Sequence, residues 1–483
     1  MSTLQFILHL LKLIGSCAKF FSLFIRITVS LLLHFKIASA SKFLRQLTLS
    51  VEFILEHGSK SSPIKYSPFL LLPTDALVLY SEHQSILHNA NSAYAFACWD
   101  ETKNLLYSSL TIEDKASSLH SIDPLDLRII GSEIVGSIGH SSFGLALRAR
   151  MNFLGHNPVK SYWILAGLTS NEYFLRLWGQ HFDSFLNVSR SEQKAIENSL
   201  WPIVESIQTI RTFDGYLDLV SAHNRYALAW EKESFPPLIK LSDNDQTRAE
   251  HFFAERNWQI PKFIVTLHVR EATVAEGRLY GRNACISSYL PAIDEISQHG
   301  GLVFRIGNNR MTPLRHPGVI DLTQEKEIPE WLNIYLIAKS RFMIATTSGP
   351  IGVAAAFGVP ILWTNMPDIG KAVFHAKSLC LPKMIRRPCG DLMSLNETLD
   401  SVFGWSDSFI HNIRDKNNVQ GYTWVDNTAP EIKEATVEML NGWTQFESDY
   451  QSCWSQSLQD FGSSGSTRVS DTFLVSHARD LRL

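Results

Sequence analysis

The sequence predicts an α/β protein built on parallel, doubly wound sheets and preceded by a helical N-terminal region. Three observations predict it. Between Phe263 and Asn365, short apolar or β-branched runs alternate with segments of helical apolar spacing. A shorter alternation of the same kind lies upstream, from Ile134 to Ala166. Polar residues gather where the downstream strands end, the edge at which open α/β sheets take their ligands. The expected layout is an interface helix over 1–40, a helical region over 41–129, one Rossmann-like unit over 130–259, a second over 260–440, and a closing helix and tail over 441–483.

The first segment is different in kind from the rest. No Asp or Glu occurs between Met1 and Val51, while Lys12, Lys19 and Arg26 recur every seven residues among Leu, Ile, Phe and Val. On a helix, Gln5, His9, Lys12, Ser16, Lys19, Arg26, Ser30 and His34 share one arc of about 100°. A wide apolar face with a narrow basic stripe suits a helix lying in a membrane interface, its lysines reaching anionic headgroups. The uncharged runs Met1 to Leu11 and Ile27 to Phe35 are shorter than the roughly 20 residues a span needs. A signal peptide ending near Ala38-Ser39-Ala40, or a helix buried in the protein's own core, are the other readings.

From Ser41 to Ile129 the chain reads as helical, with Ala76 to His88 and Ala93 to Leu110 as a hairpin without a repeating copy. Ile134 to Ile138 then reads as a strand ending in a Gly139-His140 turn, Phe143 to Leu154 as a helix, and Tyr162 to Ala166 as a strand. Arg190 to Gln259 reads as helical with irregular joints. It contains Asp243-Asn244-Asp245, which has the spacing of a metal-holding Asp-x-Asp. No strand precedes this pair and a helix follows it, so the carboxylates are expected to cap that helix.

Phe263-Ile264-Val265-Thr266-Leu267 reads as a buried parallel strand that delivers His268, Arg270 and Glu271 at its end. Ile286 to Gln298 is a helix stopped at Gly300-Gly301, and Leu302 to Ile306 a strand. Gly318 to Leu322 is a strand, Ile328 to Ala338 a helix, Phe342 to Ala345 a strand, Pro350 to Phe357 a helix of small residues, and Pro360 to Trp363 a strand. Two helices, Pro430 to Leu440 and Gly442 to Leu458, come next, and Val469 to Leu474 packs back on the body after a Gly/Ser joint.

Arg270, Arg305 and Thr347-Ser348-Gly349 fall at one edge of this sheet. A Ser-Gly turn opening a helix exposes unpartnered N–H groups at a positive dipole end, and an arginine offers paired donors to phosphate oxygens. The combination suits a diphosphate. Singly, each feature has an ordinary reading: a surface ion pair for the arginine, an N-cap for the serine, a buried hydrogen-bonded imidazole for His268.

His268-Val269-Arg270-Glu271, Gly281-Arg282-Asn283, Tyr289 with Ala292-Ile293, Gly300-Gly301, Phe304 to Gly307, Thr347-Ser348-Gly349 and Asn365 together resemble a bacterial family of GT-B-like glycosyltransferases. The resemblance runs from about Ile134 to the C-terminus. More distantly, His268-Val269-Arg270 is similar to the His-x-Arg motif of GT-B fucosyltransferases, although Glu271-Ala272 departs from the continuation of that motif. The resemblance implies two Rossmann-like domains and a nucleotide-sugar donor held by His268, Arg270, Arg282, Arg305, Thr347, Ser348, Gly349 and Asn365. It implies a glycan or lipid-linked acceptor, deprotonated by Glu271, His140 or Glu276, and a chain end that crosses to the N-terminal domain. No metal and no cofactor beyond the nucleotide-sugar are expected, and the setting is surface-polysaccharide synthesis at the cytoplasmic face of the membrane. A nucleotide-sugar epimerase of the same fold and a non-catalytic scaffold are the alternatives.

Composition bounds these readings. A net charge of −3 with 45% apolar residues argues against a nucleic-acid binder or a disordered chain. Cys17, Cys98, Cys285, Cys380, Cys389 and Cys453 form no CxxC pair and are expected to be reduced, mostly buried thiols.

Overall fold

A computed structural model describes residues 123–483 apart from residues 183, 208, 214, 260, 272–280, 372–376, 402, 404–420, 443–447 and 462–467, together with His83, Ile86, Ser108 and residues 111–117. The interface helix expected over 1–40, most of the helical region after it, and Glu276 lie outside the described residues.

Two parallel sheets carry the chain. The first joins β1 (Arg128–Ile130), β2 (Tyr162–Leu165) and β3 (Ser184–Leu186) in sequence order, all parallel, with Val204 bridged to Ile129 at its edge. A separate antiparallel hairpin comes next, β4 (Thr209–Thr212) with β5 (Gly215–Asp218). The second sheet has six strands: β6 (Phe263–His268), β7 (Gly301–Arg305), β8 (Val319–Asp321), β9 (Phe342–Ala345), β10 (Ile361–Met366) and β11 (Leu379–Pro382). Their order is β11-β10-β9-β6-β7-β8, all parallel. Counted within this sheet, that is the doubly wound order whose direction of winding reverses between the first and fourth strands, here β6 and β9. Both sheets are covered by helices, which is why β9 and β10 are buried along their whole length and read as continuous apolar runs.

The strands and helices expected between Phe263 and Trp363 fall where their periodicity puts them, while β11 lies outside those expectations and the helix expected over Gly442 to Leu458 is described as Asp449–Asp460. The upstream unit differs from expectation in two places. The first strand is Arg128–Ile130, and Ser132–Val135 and Ile138–Phe153 are helices, so Ile134 to His140 is not a strand and turn. Two neighbouring apolar pairs, Ile129-Ile130 and Ile134-Val135, compete for the strand, and pairing with β2 selects the earlier one. The hairpin β4–β5 interrupts the region read as helical. At the other end, the last helix, Asp471–Leu481, packs on helices Ala429–Asn441 and Asp449–Asp460 of the downstream unit and does not cross to the upstream one. Val469 packs back as expected, bridged to Cys380 of β11.

Ser242 and Asp245 form a reciprocal capping box on helix Asp243–Glu255, so Asp245 of the Asp-x-Asp pair caps the helix and Asp243 lies in its first turn. The thiols differ from expectation: of the four described, Cys380 is buried while Cys285, Cys389 and Cys453 are exposed.

One apolar cluster runs through both units, from Ile130, Leu145 and Phe174 to Val265, Ile344 and Leu381. Its joint is the crossing of helix Ile138–Phe153 with helix Gly349–Ala356, where small residues face each other. A methyl group added at Gly349 would stand 2.3 Å from Cγ2 of Ile138 and 2.9 Å from the backbone nitrogen of Gly139. Backbone therefore lies against backbone, which only glycine permits. The N-terminal turns of the two helices meet there, one from each unit.

Upstream of the first sheet, Glu113 of the helical residues 111–117 accepts from His83 at 3.1 Å, Arg211 at 3.0 Å and Arg128 at 3.3 Å. Arg128 and Arg148 in turn share Glu205. The arginines outweigh the cost of burial and bring the Glu113 carboxyl down to about 2.

Candidate functional site

The strand order singles out one place before any side chain is considered: the carboxyl ends of β6 and β9, where the winding reverses. Register sets His268 beside Ala345, so the loops that leave the two strands start side by side. They are stitched together. The N–H of Thr346 donates to the carbonyl of His268 at 3.1 Å, and the N–H of Arg270 donates to Oγ1 of the fully buried Thr346 at 2.9 Å. Arg270 is thus held at the edge by backbone bonds, with its side chain half-buried.

Thr347 and Ser348 come directly after β9. Oγ1 of Thr347 accepts the indole N–H of Trp363 from β10 at 2.9 Å. Ser348 occupies the N-cap position of helix Gly349–Ala356 with extended backbone, but its side chain makes no capping bond. Its Oγ is buried without a hydrogen-bond partner among the described residues. A buried hydroxyl left open at a helix start, beside the N–H of Gly349, suits an anion's oxygen; Pro350 has no N–H and that of Ile351 goes to the carbonyl of Ser348 at 3.3 Å.

His268 has its Nδ1 covered and without a partner among the described residues. Burial, and then the positive charges of Arg270 and Arg305, lower its pKa to about 4, so the imidazole is neutral at physiological pH.

Arg305 and Glu271 are placed differently from Arg270. Arg305 is 0% exposed and enclosed by its own neighbours. Its Nη2 donates to Oε2 of Glu271 at 2.7 Å, and its Nη1 to Oδ2 of Asp321 at 3.1 Å and to the carbonyl of Thr312. The same Oε2 of Glu271 accepts the N–H of Thr312 at 2.9 Å. Asp321 accepts further from the N–H of Leu314 at 2.8 Å and from the hydroxyl of Thr323 at 2.7 Å. This closed network anchors the loop after β7 to the end of β6; it presents neither Arg305 to a phosphate nor Glu271 to an acceptor.

Asn365 is also spent internally. It sits at φ 52° and exchanges hydrogen bonds with Asn427, at 2.8 Å and 2.5 Å, while donating to the hydroxyl of Tyr289 at 3.1 Å. Arg282 is half-buried in a turn that returns to the edge, since the N–H of Ala284 donates to the carbonyl of Arg270 at 2.9 Å.

His140 lies across the joint, exposed in the first turn of helix Ile138–Phe153 and next to the Gly139–Gly349 contact. Its Nδ1 is 2.8 Å from the carbonyl of Glu133. A carbonyl only accepts, so Nδ1 carries a proton, and in the neutral ring the lone pair lies on Nε2. The structure thus brings together Arg270, His268, Thr347, Ser348 and Gly349, with His140 on the facing helix. Arg305, Glu271 and Asn365 stand behind them as supports.

The sequence reading gave no role to several polar groups at this edge. Asp368, just past β10, is 7% exposed with an unpartnered Oδ1, and the amide of Asn283 and the indole N–H of Trp424 are also buried without partners among the described residues. Gly281 brings them close, since a methyl group there would meet Pro367 at 2.7 Å and Trp424 at 2.9 Å. Asp368 carries no motif, and its one local signal is its place after the fifth strand of the sheet. Among the described residues no group of three or more His, Cys, Asp or Glu is placed to hold a metal ion.

No protein-family model matches the chain, and no curated protein does. Among solved structures it is similar to a glycosyl transferase family 9 protein from Veillonella parvula DSM 2008, at 10% identity and a TM-score of 0.35, covering 54% of this chain and 87% of that one. It is similar to the ADP-heptose LPS heptosyltransferase II of E. coli, at 11% identity and a TM-score of 0.31 over 53% of this chain and 90% of that one. The E. coli heptosyltransferase WaaC with ADP-2-deoxy-2-fluoro heptose is similar at 10% identity and a TM-score of 0.29, over 60% and 99%. At TM-scores below 0.5 these likenesses assign no role to any residue.

Proposed function

We propose that the chain is a GT-B-type glycosyltransferase that moves a sugar from a nucleotide-sugar donor to a glycan or lipid-linked acceptor in bacterial surface-polysaccharide synthesis. The observation that carries this reading is the convergence of hydrogen-bond donors at the β6/β9 switch point: Arg270, the open hydroxyl of Ser348 and the first turn of helix Gly349–Ala356. In this reading they hold the donor's diphosphate, and Arg282 approaches it from its turn. The open polar atoms of Asn283, Asp368 and Trp424 receive the nucleoside.

The chemistry derives from that placement. Nε2 of His140 takes the proton of the acceptor hydroxyl. The acceptor oxygen bonds to the anomeric carbon as the bond from that carbon to the diphosphate oxygen breaks. The electron pair leaves on the diphosphate, whose growing charge meets Arg270, Arg282 and the helix N-terminus. Because those groups supply positive charge, this reading asks for no metal. Arg305 and Glu271 serve by holding the strand-end loops still. The neutral His268 adds no repulsion to the cations beside it. No described helix is long and apolar enough to cross a membrane; attachment to the inner membrane face rests on the basic-striped segment over 1–40.

The test is a thermal-shift screen of the chain against UDP-, GDP-, dTDP-, CMP- and ADP-sugars, with EDTA and with Mg²⁺. One nucleotide class stabilises the protein equally in both, and Arg270→Ala abolishes the response. Turnover in Arg270→Ala within a few-fold of wild type removes Arg270 from the site, and silence towards every nucleotide removes the transferase reading.

A further inference from the structure

The two helices that meet at the candidate donor site frame a second cavity at their other ends, about 260 Å³ in volume. Both units line it: Arg150 from helix Ile138–Phe153, Trp230 and Glu231 from helix Leu219–Lys232, Phe235 beyond it, and Gly358 and Lys377 from the downstream unit. Arg150 lies twelve residues along its helix from Ile138, about 18 Å from the donor site at 1.5 Å per residue.

Arg150 is the anomaly. It is 6% exposed, yet its Nε and Nη1 have no hydrogen-bond partner among the described residues. The other deeply buried arginines of this fold are matched by carboxylates, Arg128 and Arg148 by Glu205 and Arg305 by Glu271 and Asp321. A buried charge without a partner is costly. Burial accordingly lowers the pKa of Arg150 to about 10, against the opposing pull of Glu231. Glu231, Ser234 and Lys377 add polar groups to the wall, and Trp230, Phe235, Pro237 and Leu238 its apolar part. The indole N–H of Trp230 is spent on the carbonyl of Pro236 at 3.0 Å, and its ring packs with Phe153 at 5.0 Å and Phe235 at 4.9 Å.

We propose that this cavity is a second binding site, which takes a small organic anion through a carboxylate or phosphate group and thereby ties the two units together. The planar guanidinium of Arg150 supplies paired donors for either group. Lys377 adds a second positive charge, and Glu231 offsets one of the two, which suits a singly charged ligand. The volume is below the roughly 300–1,000 Å³ of drug-sized pockets, so it admits a phosphate, a short organic acid or one sugar acid and excludes a nucleotide-sugar. Because its walls come from both units, an occupant bridges helices whose opposite ends form the donor site. It is therefore an effector of the cleft, separate from the donor.

Thermal shift and calorimetric titration of the full chain test this, with inorganic phosphate, glucuronate and neutral glucose at matched ionic strength. The same titrations are run in Arg270→Ala, so that phosphate binding at the strand edge is not counted. Phosphate, glucuronate or both raise Tm in that background, glucose does not, and the responding anion names the group recognised. Arg150→Met abolishes the response while the unliganded protein keeps or gains stability, because an unpaired buried charge has been removed. Lys377→Gln, at an exposed position, weakens the anion about tenfold and leaves the unliganded Tm unchanged. The proposal is overturned if neither anion shifts Tm beyond sodium chloride, or if Arg150→Met retains the full response. Since the readout persists in Arg270→Ala, it stands or falls separately from the transferase reading.

Discussion

Replacing Glu271 separates a support from a catalytic base. Both donors that reach this carboxylate, Nη2 of Arg305 at 2.7 Å and the N–H of Thr312 at 2.9 Å, converge on the one oxygen Oε2. In Glu271→Gln the amide oxygen takes that position and accepts both bonds, and the amide NH₂ takes the place of Oε1. What is lost is charge, while Arg305 keeps Asp321 and the carbonyl of Thr312. The expected cost is about 1–2 kcal/mol, the margin between charged and neutral hydrogen bonds. In Glu271→Ala both donors lose their acceptor; the N–H of the exposed Thr312 turns to water, while Arg305, 0% exposed, loses a carboxylate that water does not replace. Breaking a buried pair in this way costs about 3–5 kcal/mol. Thermal unfolding and steady-state kinetics on both variants make the comparison. The support role predicts that Glu271→Gln keeps kcat within about tenfold of wild type, while Glu271→Ala loses stability and activity together. A base would show the opposite split, with Glu271→Gln as stable as wild type and kcat down by about 10²–10⁴-fold. That outcome would refute the support role and displace His140.

Three further outcomes are expected from the same geometry. Ser348→Ala leaves Tm unchanged, because Ser348 makes no capping bond to lose, but it raises KM for the donor; a drop in Tm worth about 1 kcal/mol, as for an ordinary cap, would show that Ser348 serves the helix. Gly349→Ala costs about 1–3 kcal/mol or more and Gly139→Ala less, since the added methyl meets Ile138 and the Gly139 backbone in the first case and stands 3.1 Å from Cα of Gly349 in the second. Equal Tm values for wild type and Gly349→Ala count against the close helix contact. His268 has a folded pKa near 4 against 6.5 unfolded, so between those values the unfolded chain binds the extra proton. Stability from this group is whole above pH 6.5 and declines by about 3 kcal/mol as pH falls to 4. His268→Asn lacks that decline, and parallel stability curves for the two proteins would exclude the buried neutral imidazole.

Much of the downstream unit was legible in the chain itself. Strands covered on both faces must be apolar throughout, so β6, β7, β9 and β10 stand out as runs, and Gly300 and the Ser348-Gly349 turn mark where helices stop and start. The capping role of Asp245 was legible for the same reason: a box of four residues is complete within the sequence that encodes it. Arg270 and Ser348 were legible as residues of the sheet's switch-point edge because strand ends and helix starts define that edge, and the structure places both there.

What the tertiary structure decided was pairing. Arg305 and Arg270 look alike as arginines near strand ends, yet one meets Asp321 and Glu271 and the other is held at the edge by its backbone. Asn365 looked like a donor ligand until its amide met Asn427, sixty-two residues away. The strand at Arg128–Ile130 was selected over Ile134-Val135 by its partner in β2, and the Gly139–Gly349 contact joins residues with no local signal of each other. Periodicity and capping are properties of neighbouring residues and can be read from them. Which buried charge finds a carboxylate is settled only when distant segments close around it, because burial and partners arise from that closure.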